Sequence, residues 1–358
     1  MRRRTLLTIT SLLLALSIIA TGTALAGDSQ VSAVAKPGPK GKVVVANRAS
    51  GTISVIDVST DQATTVDLPA AASPPEPMYV VYGRRANLVF VGDRANDRVV
   101  AFDADDFSVA GTVATGAGVF HMWANPQDQL LWVNNDIDNT ATVIDPKKLQ
   151  VVATVPMPAD LVDLGAKPHD VVLDTRYAYV TMLGVATPDN GESDYVVKFD
   201  TRTFQEVERA AVGGDPHVSL TLTNHLLYVP TQYENEVTVL DRRTMQAVAH
   251  VAIPGAHGAG MVRNGKTFYT TNLPGGGTDA IWAIDTKTNS VIGSAVDTPY
   301  AVPHNIALTP HADKMYLTHS GGTSDTVTVY AIDKHDRLPV YAGEVTVGLN
   351  PFGLAYVP

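Results

Sequence analysis

Ten histidines occur in the 358 residues, and five of them recur at one kind of place, near the start of an apolar run and often just after a proline. They are His121 in Val-Phe-His-Met, His169 in Lys-Pro-His-Asp, His217 in Asp-Pro-His-Val, His257 in Gly-Ala-His-Gly and His304 in Val-Pro-His-Asn. Met78 and Phe352 take the corresponding place in two further copies of the same pattern. Imidazole is the commonest side-chain ligand for zinc, copper and nickel. The expectation is therefore a transition-metal site built from His121, His169, His217, His257 and His304. Copper or zinc is the expected ion, and a thioether at Met78 would favour copper. His319 ends a strand near the same rim and is the remaining candidate ligand. The competing reading is that copies of one repeat inherit a histidine that bonds neighbouring backbone and water. His225, His250, His311 and His335 fall in outer strands or in turns on the opposite face.

Other chemistry is less well supplied. The segment Leu183–Asp194 contains Asp189-Asn190-Gly191-Glu192-Ser193-Asp194, whose alternating oxygens suit Ca²⁺ but lack the twelfth-position Glu of an EF-hand. No Gly-x-Ser-x-Gly elbow is present, so serine hydrolase chemistry has no sequence support. Gly275-Gly276-Gly277 follows Pro274 with no helix start behind it, and reads as a turn rather than a phosphate cradle. The absence of cysteine excludes disulfides and thiolate sites.

The elements that must position the histidines are repeated. A β-rich run ending in Asp recurs at Asp57, Asp103, Asp145, Asp200, Asp241, Asp285 and Asp333, spaced 41 to 55 residues apart. Each Asp is followed by a polar turn that its side chain can cap. About ten residues earlier lies a second run, such as Trp132-Val133-Asn134-Asn135 or Tyr228-Val229-Pro230-Thr231. These β-branched and aromatic runs are separated by Gly, Asn and Pro, which is the strand signal, and no 3.6-residue apolar period persists after the N-terminus. Four strands every 40–50 residues describe propeller blades. The chain enters at a second strand, Val43–Asn47, and ends on a surplus first strand, Phe352–Val357. The expected fold is an all-β, seven-bladed β-propeller of four-stranded antiparallel blades over residues 42–358, closed by the C-terminal strand completing the first blade. The histidine register would then ring the mouth of the central channel. The insertion Pro156–Pro168 lies on that same face as a rim.

Tyr-Val-Thr at 179–181, Tyr-Thr-Thr-Asn at 269–272 and the Val-Ile-Asp runs resemble the YVTN family of exported seven-bladed β-propellers. The resemblance covers roughly residues 42–358 and implies the fold. It leaves the activity open, because propellers host many chemistries.

Residues 1–26 read as a signal peptide: Met1-Arg2-Arg3-Arg4, an apolar run from Leu6 to Ala20, and Ala24-Leu25-Ala26 as the cleavage signal. The run is shorter than the ~20 residues that span a bilayer. Arg3-Arg4 leaves twin-arginine export open beside the general route. Residues 27–41 read as a flexible lead-in, and the mature protein is expected to be secreted, periplasmic or held in the cell envelope. The formal charge is −10; without the three arginines of the first 26 residues, 23 bases face 36 acids, a net of −13. That field and the lack of a basic cluster exclude nucleic acid as a partner. Three functions remain: a monomeric binding or scaffold protein, a copper oxidoreductase, or a lyase or hydrolase with a channel histidine as general base. In each, a small molecule or protein engages the channel mouth.

Overall fold

The computed structural model describes residues 40–273 and 279–358; the expected signal peptide, most of the lead-in and Gly275-Gly276-Gly277 lie outside the described residues. Seven antiparallel sheets follow one another along the chain. Blade 1 has the order Pro351–Val357, Lys42–Asn47, Thr52–Asp57, Gln62–Asp67, so the last strand of the chain is the innermost strand of the first blade. Blades 2 to 5 and 7 each hold four consecutive strands, whose innermost members are Pro77–Gly83, Val119–Ala124, Lys167–Leu173, Ser219–Leu220 and Pro303–Leu308. Blade 6 starts at Ala256–Met261, and its outer strand is split into Ser290–Val291 and Val296–Asp297, both paired with Ala280–Asp285. Among the described residues no helix is long and apolar enough to cross a membrane.

The repeated Asp is a turn device. In all seven blades its Oδ1 accepts the N–H two residues on, at 2.7–3.0 Å, from Ser59, Asp105, Lys147, Arg202, Arg243, Lys287 and His335. The residue four positions after the Asp is left-handed in every copy, with φ between 51° and 62° at Asp61, Phe107, Leu149, Phe204, Met245, Asn289 and Arg337. This is a hairpin loop ending in a left-handed residue. The capping bonds stabilise that loop even where the left-handed residue is Phe, Leu or Met.

The core lies between blades. Trp132 and Val143 of blade 3 pack on Val171, Val180 and Phe199 of blade 4. Val43 and Val45 of blade 1 pack on Tyr316, Val327 and Val329 of blade 7 across the closing seam. That seam is also pinned by charge, since Asp61 accepts from Lys314 Nζ (2.6 Å) and from the Tyr316 hydroxyl (2.6 Å). The insertion before blade 4 contains a short helix, Ala159–Asp163, which the sequence reading did not anticipate. One turn is too short to show a 3.6-residue period. It is held by the buried Leu161 and by Asp160 paired with Arg209 at 2.6 Å.

Candidate metal centre at the hub

At the hub end of six inner strands the ladder slips by one residue. Pro168 faces Met182 but Val171 faces Val180, and the same step occurs in blades 1, 2, 3, 6 and 7. Such a bulge re-aims side chains and so presents two successive residues to neighbouring blades. Blade 5 keeps an even count, with Pro216 opposite Thr231 and Ser219 opposite Tyr228. The first of the two hub positions is held by Met78, Phe120, His169, His217, His257, His304 and Phe352. The second is held by Tyr79, His121, Asp170, Val218, Gly258, Asn305 and Gly353. His121 therefore does not share the register of the other four histidines. Phe120 occupies that place, next to Val119, which stands where five other blades have Pro77, Pro168, Pro216, Pro303 or Pro351, so no proline marks the register in blade 3.

Six first-position rings close on one another. Centroids are 4.6 Å apart for Phe120–His169, 4.8 Å for His169–His217, 3.9 Å for His217–His257 and 5.1 Å for His257–His304. His304–Phe352 at 4.5 Å and Phe352–Phe120 at 6.2 Å complete the circle. The histidines thus form one continuous arc and the phenylalanines the rest. Gly258 permits part of this, because a Cβ there would overlap the carbonyl oxygen of His304. A cleft of about 380 Å³ exists elsewhere, near Thr115, Asp138, Thr142 and Thr154, away from the arc.

Two carboxylates face the arc. Asp170, 4% exposed, meets His121 Nδ1 at 2.7 Å through Oδ1 and His217 Nδ1 at 3.4 Å through Oδ2. Asp215, at the left-handed φ of 53°, places Oδ2 3.5 Å from His257 Nδ1. His257 Nδ1 is buried and makes no hydrogen bond. Nε2 of His169 and Nε2 of His217 are also buried and unpartnered. A ligand atom from each of His169, Asp215 and His217 lies within 4.8 Å of the others. His257 and His304 meet through their Nε2 atoms at 3.1 Å, and His304 Nδ1 lies 2.9 Å from both Ser320 Oγ and Asn305 Nδ2.

Burial pushes His169 down to about 3, with His217 beside it adding to the effect, and pushes His257 down to about 4. His304 is held well below the usual imidazole range by burial and by its neighbours. His217 goes the other way: burial lowers it, but the bond and charge of Asp170 outweigh that and raise it. Burial raises both carboxyls, yet the adjoining imidazoles win and hold Asp170 and Asp215 below the carboxylate range. The neutral imidazoles of His169 and His257 beside an ionised carboxylate are the protonation states that metal ligation requires, and His217 must release its added proton to join them. A buried lone pair with no partner is unfavourable unless something fills the space.

The remaining candidates fall away from this cluster. Met78 is buried in blade 2, separated from His169 by the blade carrying Phe120 and from His304 by the blade carrying Phe352, so its thioether adjoins no ring histidine. His319 has both nitrogens engaged, Nδ1 with the Ala301 carbonyl at 3.0 Å and Nε2 with Thr328 Oγ1 at 2.8 Å. In the loop thought suitable for Ca²⁺, Asp194 instead spends Oδ1 on the N–H groups of Gly184, Val185 and Ala186, and Oδ2 on that of Asp215. It ties the loop and supports Asp215 rather than an ion. Sequence reasoning missed Asp170 and Asp215. The available signal was an acid flanking the histidine, one residue after His169 and two before His217.

A family model described as "Lactonase, 7-bladed beta-propeller" matches residues 20–250. No curated protein matches the sequence. Among solved structures, a protein from Lactobacillus plantarum superposes with a TM-score of 0.70 at 17% identity, covering 89% of this chain and 100% of that one. A putative 6-phosphogluconolactonase from Bacteroides fragilis gives 0.69 at 16% identity, covering 89% and 98%. Hydrazine synthase of Kuenenia stuttgartiensis gives 0.66 at 16% identity, covering 78% and 89%. At these identities the likeness is one of fold.

Proposed function

We propose, from the premise that this chain belongs to the lactonase family of seven-bladed β-propellers, that it is a metalloprotein holding one divalent transition-metal ion on His169, His217 and Asp215. One observation carries the reading: both histidines keep a buried, unpartnered Nε2, and a ring nitrogen of each lies within 4.8 Å of the other and of an Asp215 oxygen. His257 adjoins the set and is the natural fourth ligand. Two imidazoles and a carboxylate suit Zn²⁺ or Cu²⁺; with Met78 remote, nothing in the donor set favours Cu⁺. The YVTN-like repeats and the basic-apolar N-terminus support export, with the mature protein acting as a monomer that engages a small molecule or protein at the hub face. The test is elemental analysis of untagged protein purified from its exported fraction, followed by Zn²⁺ and Cu²⁺ titration. About one ion per chain is expected. A metal-free protein that also takes up neither ion would overturn the reading.

A second reading is hydrolysis of a cyclic ester. It is favoured by the half-buried positions of His169 and Asp215, which leave room beside the ion for a water whose proton a bound Zn²⁺ would make labile. Acid release from a δ-lactone by Zn²⁺-loaded protein, followed in a pH-stat, tests it. Equal rates with Zn²⁺-loaded wild type and with a His217→Gln variant would remove it.

A further inference from the structure

Asp170 is the buried acid that touches the most of this site without belonging to the proposed ligand set. It occupies the second hub position of blade 4, next to His169, and its backbone N–H donates to Thr181 Oγ1 at 2.8 Å. Oδ1 accepts the N–H of Val171 at 2.7 Å and lies 2.7 Å from His121 Nδ1. Oδ2 accepts the N–H of Val218 at 3.0 Å and lies 3.4 Å from His217 Nδ1. An ionised carboxylate is an acceptor only, so an imidazole nitrogen facing it carries the proton. For His217 this puts hydrogen on Nδ1 and the lone pair on Nε2, the very atom that is buried without a partner. His121 Nδ1 faces the same carboxylate and also lies 3.3 Å from the Val171 N–H, but this ring stands one ladder position off the arc, edge-on to Tyr79 at 4.3 Å and stacked over Trp123 at 6.3 Å.

We propose that Asp170 is the positioning residue of the hub site: one carboxylate fixes His217 as the Nδ1–H tautomer with Nε2 turned to the ion, and holds His121 as a second, non-ligating imidazole. The inference rests on the metal reading above. Carboxylate partners of metal-bound histidines typically contribute 10- to 100-fold in affinity. In Asp170→Asn the amide oxygen at the Oδ1 place can keep the Val171 N–H, while the NH₂ group at the Oδ2 place donates to His217 Nδ1 where the carboxylate accepted and leaves the Val218 N–H without its acceptor. His217 then receives on Nδ1, its proton moves to Nε2, and the ligating lone pair is blocked.

The experiment is a Zn²⁺ competition titration against a chelating dye on wild type, Asp170→Asn and His121→Gln, with ¹H–¹⁵N spectra of histidine-labelled wild type with and without Zn²⁺. Asp170→Asn should bind roughly 10- to 100-fold more weakly, while the apo protein still melts in one transition, lowered by the lost acceptor of the Val218 N–H. His121→Gln should change affinity by less than about 3-fold, well inside that range. The wild-type spectrum should show a proton on His217 Nδ1 in both states and a Zn²⁺-induced shift at its Nε2. Equal affinity for wild type and Asp170→Asn, or ligation through His217 Nδ1, overturns the proposal and leaves the metal site standing. If Asp170→Asn does not fold, the wild-type spectrum alone decides. Wild type that takes up no Zn²⁺ removes the metal reading, and a His217 proton on Nε2 in that same apo sample removes the positioning as well.

Discussion

The seven outer turns and the seven hub positions come from the same repeats, yet they have gone different ways. Every outer turn keeps its Asp and spends it alike, on the N–H two residues on. The first hub positions carry four His, two Phe and one Met, and their second-position neighbours range from Gly to Asp. A turn bond is local, so each blade needs its own copy. A hub side chain meets the neighbouring blade, so its value depends on what that blade presents. Uniform positions hold the blades, and divergent ones hold the chemistry. Damage to the scaffold should thus cost stability and spare metal, and damage to the arc should do the reverse.

The largest expected effect tests the scaffold side. Deleting Asn350–Pro358 removes the innermost strand of blade 1, which pairs with Lys42–Asn47, and opens the seam against blade 7. Unpaired backbone and uncovered apolar surface should abolish cooperative melting. A deleted protein that melts in one transition near the wild-type temperature would contradict closure by the C-terminal strand. Next comes the arc. His217→Gln should weaken Zn²⁺ or Cu²⁺ binding by roughly 100-fold or more, about 3 kcal/mol, with a melting temperature near that of the apo wild type. His335→Ala, in an exposed turn, should bind like wild type. Calorimetric titration of both variants decides, and equal losses would erase the distinction between turn and hub.

Acid separates the two regions by window. For His169 at about 3 and His257 at about 4, the folded value lies below the unfolded 6.5. Between those values the unfolded chain binds protons that the native hub refuses. Apo stability should therefore be greatest above pH 6.5 and fall on acidification toward 4, by about 1.4 kcal/mol per pH unit for each such imidazole. His304 adds to this loss. His217, whose value is raised, opposes it, since its contribution is present below 6.5 and lost as pH rises. The turn carboxyls act lower. Ser59 beside Asp57 and Arg243 beside Asp241 hold those groups below 3.8, Asp241 at about 2, so their contribution disappears only under stronger acid. Urea midpoints measured in chelator from pH 7.5 to 4.5 should decline, and His169→Gln should flatten the slope. A flat wild-type profile would mean that the arc is not buried in its neutral form.

What the sequence revealed follows the same division. Strand runs, the Asp turns and the offset closure were legible because each is written several times at a steady spacing. The arc was legible as a set of histidines, but its register was not. Phe120 and not His121 holds the first hub position of blade 3, because Val119 replaces the proline that marks that position in five other blades. Asp170 and Asp215 occur once each, and a singleton has no period to betray it. His319 looked available from its position, and only the contacts of both its nitrogens reveal that it is committed.

The smallest expected effect is the most informative about uniformity. Asp57→Ala removes the acceptor for the Ser59 N–H at 2.8 Å and the Ser59 hydroxyl, in a turn open to solvent on the far end of blade 1. Water can replace those bonds, so the loss should be about 1 kcal/mol, the net worth of an exposed capping interaction. In a chain of this size that shifts melting by a few degrees at most, roughly 2–4 °C. Metal affinity should not move, because the turn is separated from the arc by the length of the blade. The same substitution at Asp145 should give the same shift, since its turn makes the same bond to Lys147. Thermal melts of the two variants beside wild type test this. Shifts that differ severalfold between the two turns would show that the repeated Asp serves something beyond its own hairpin.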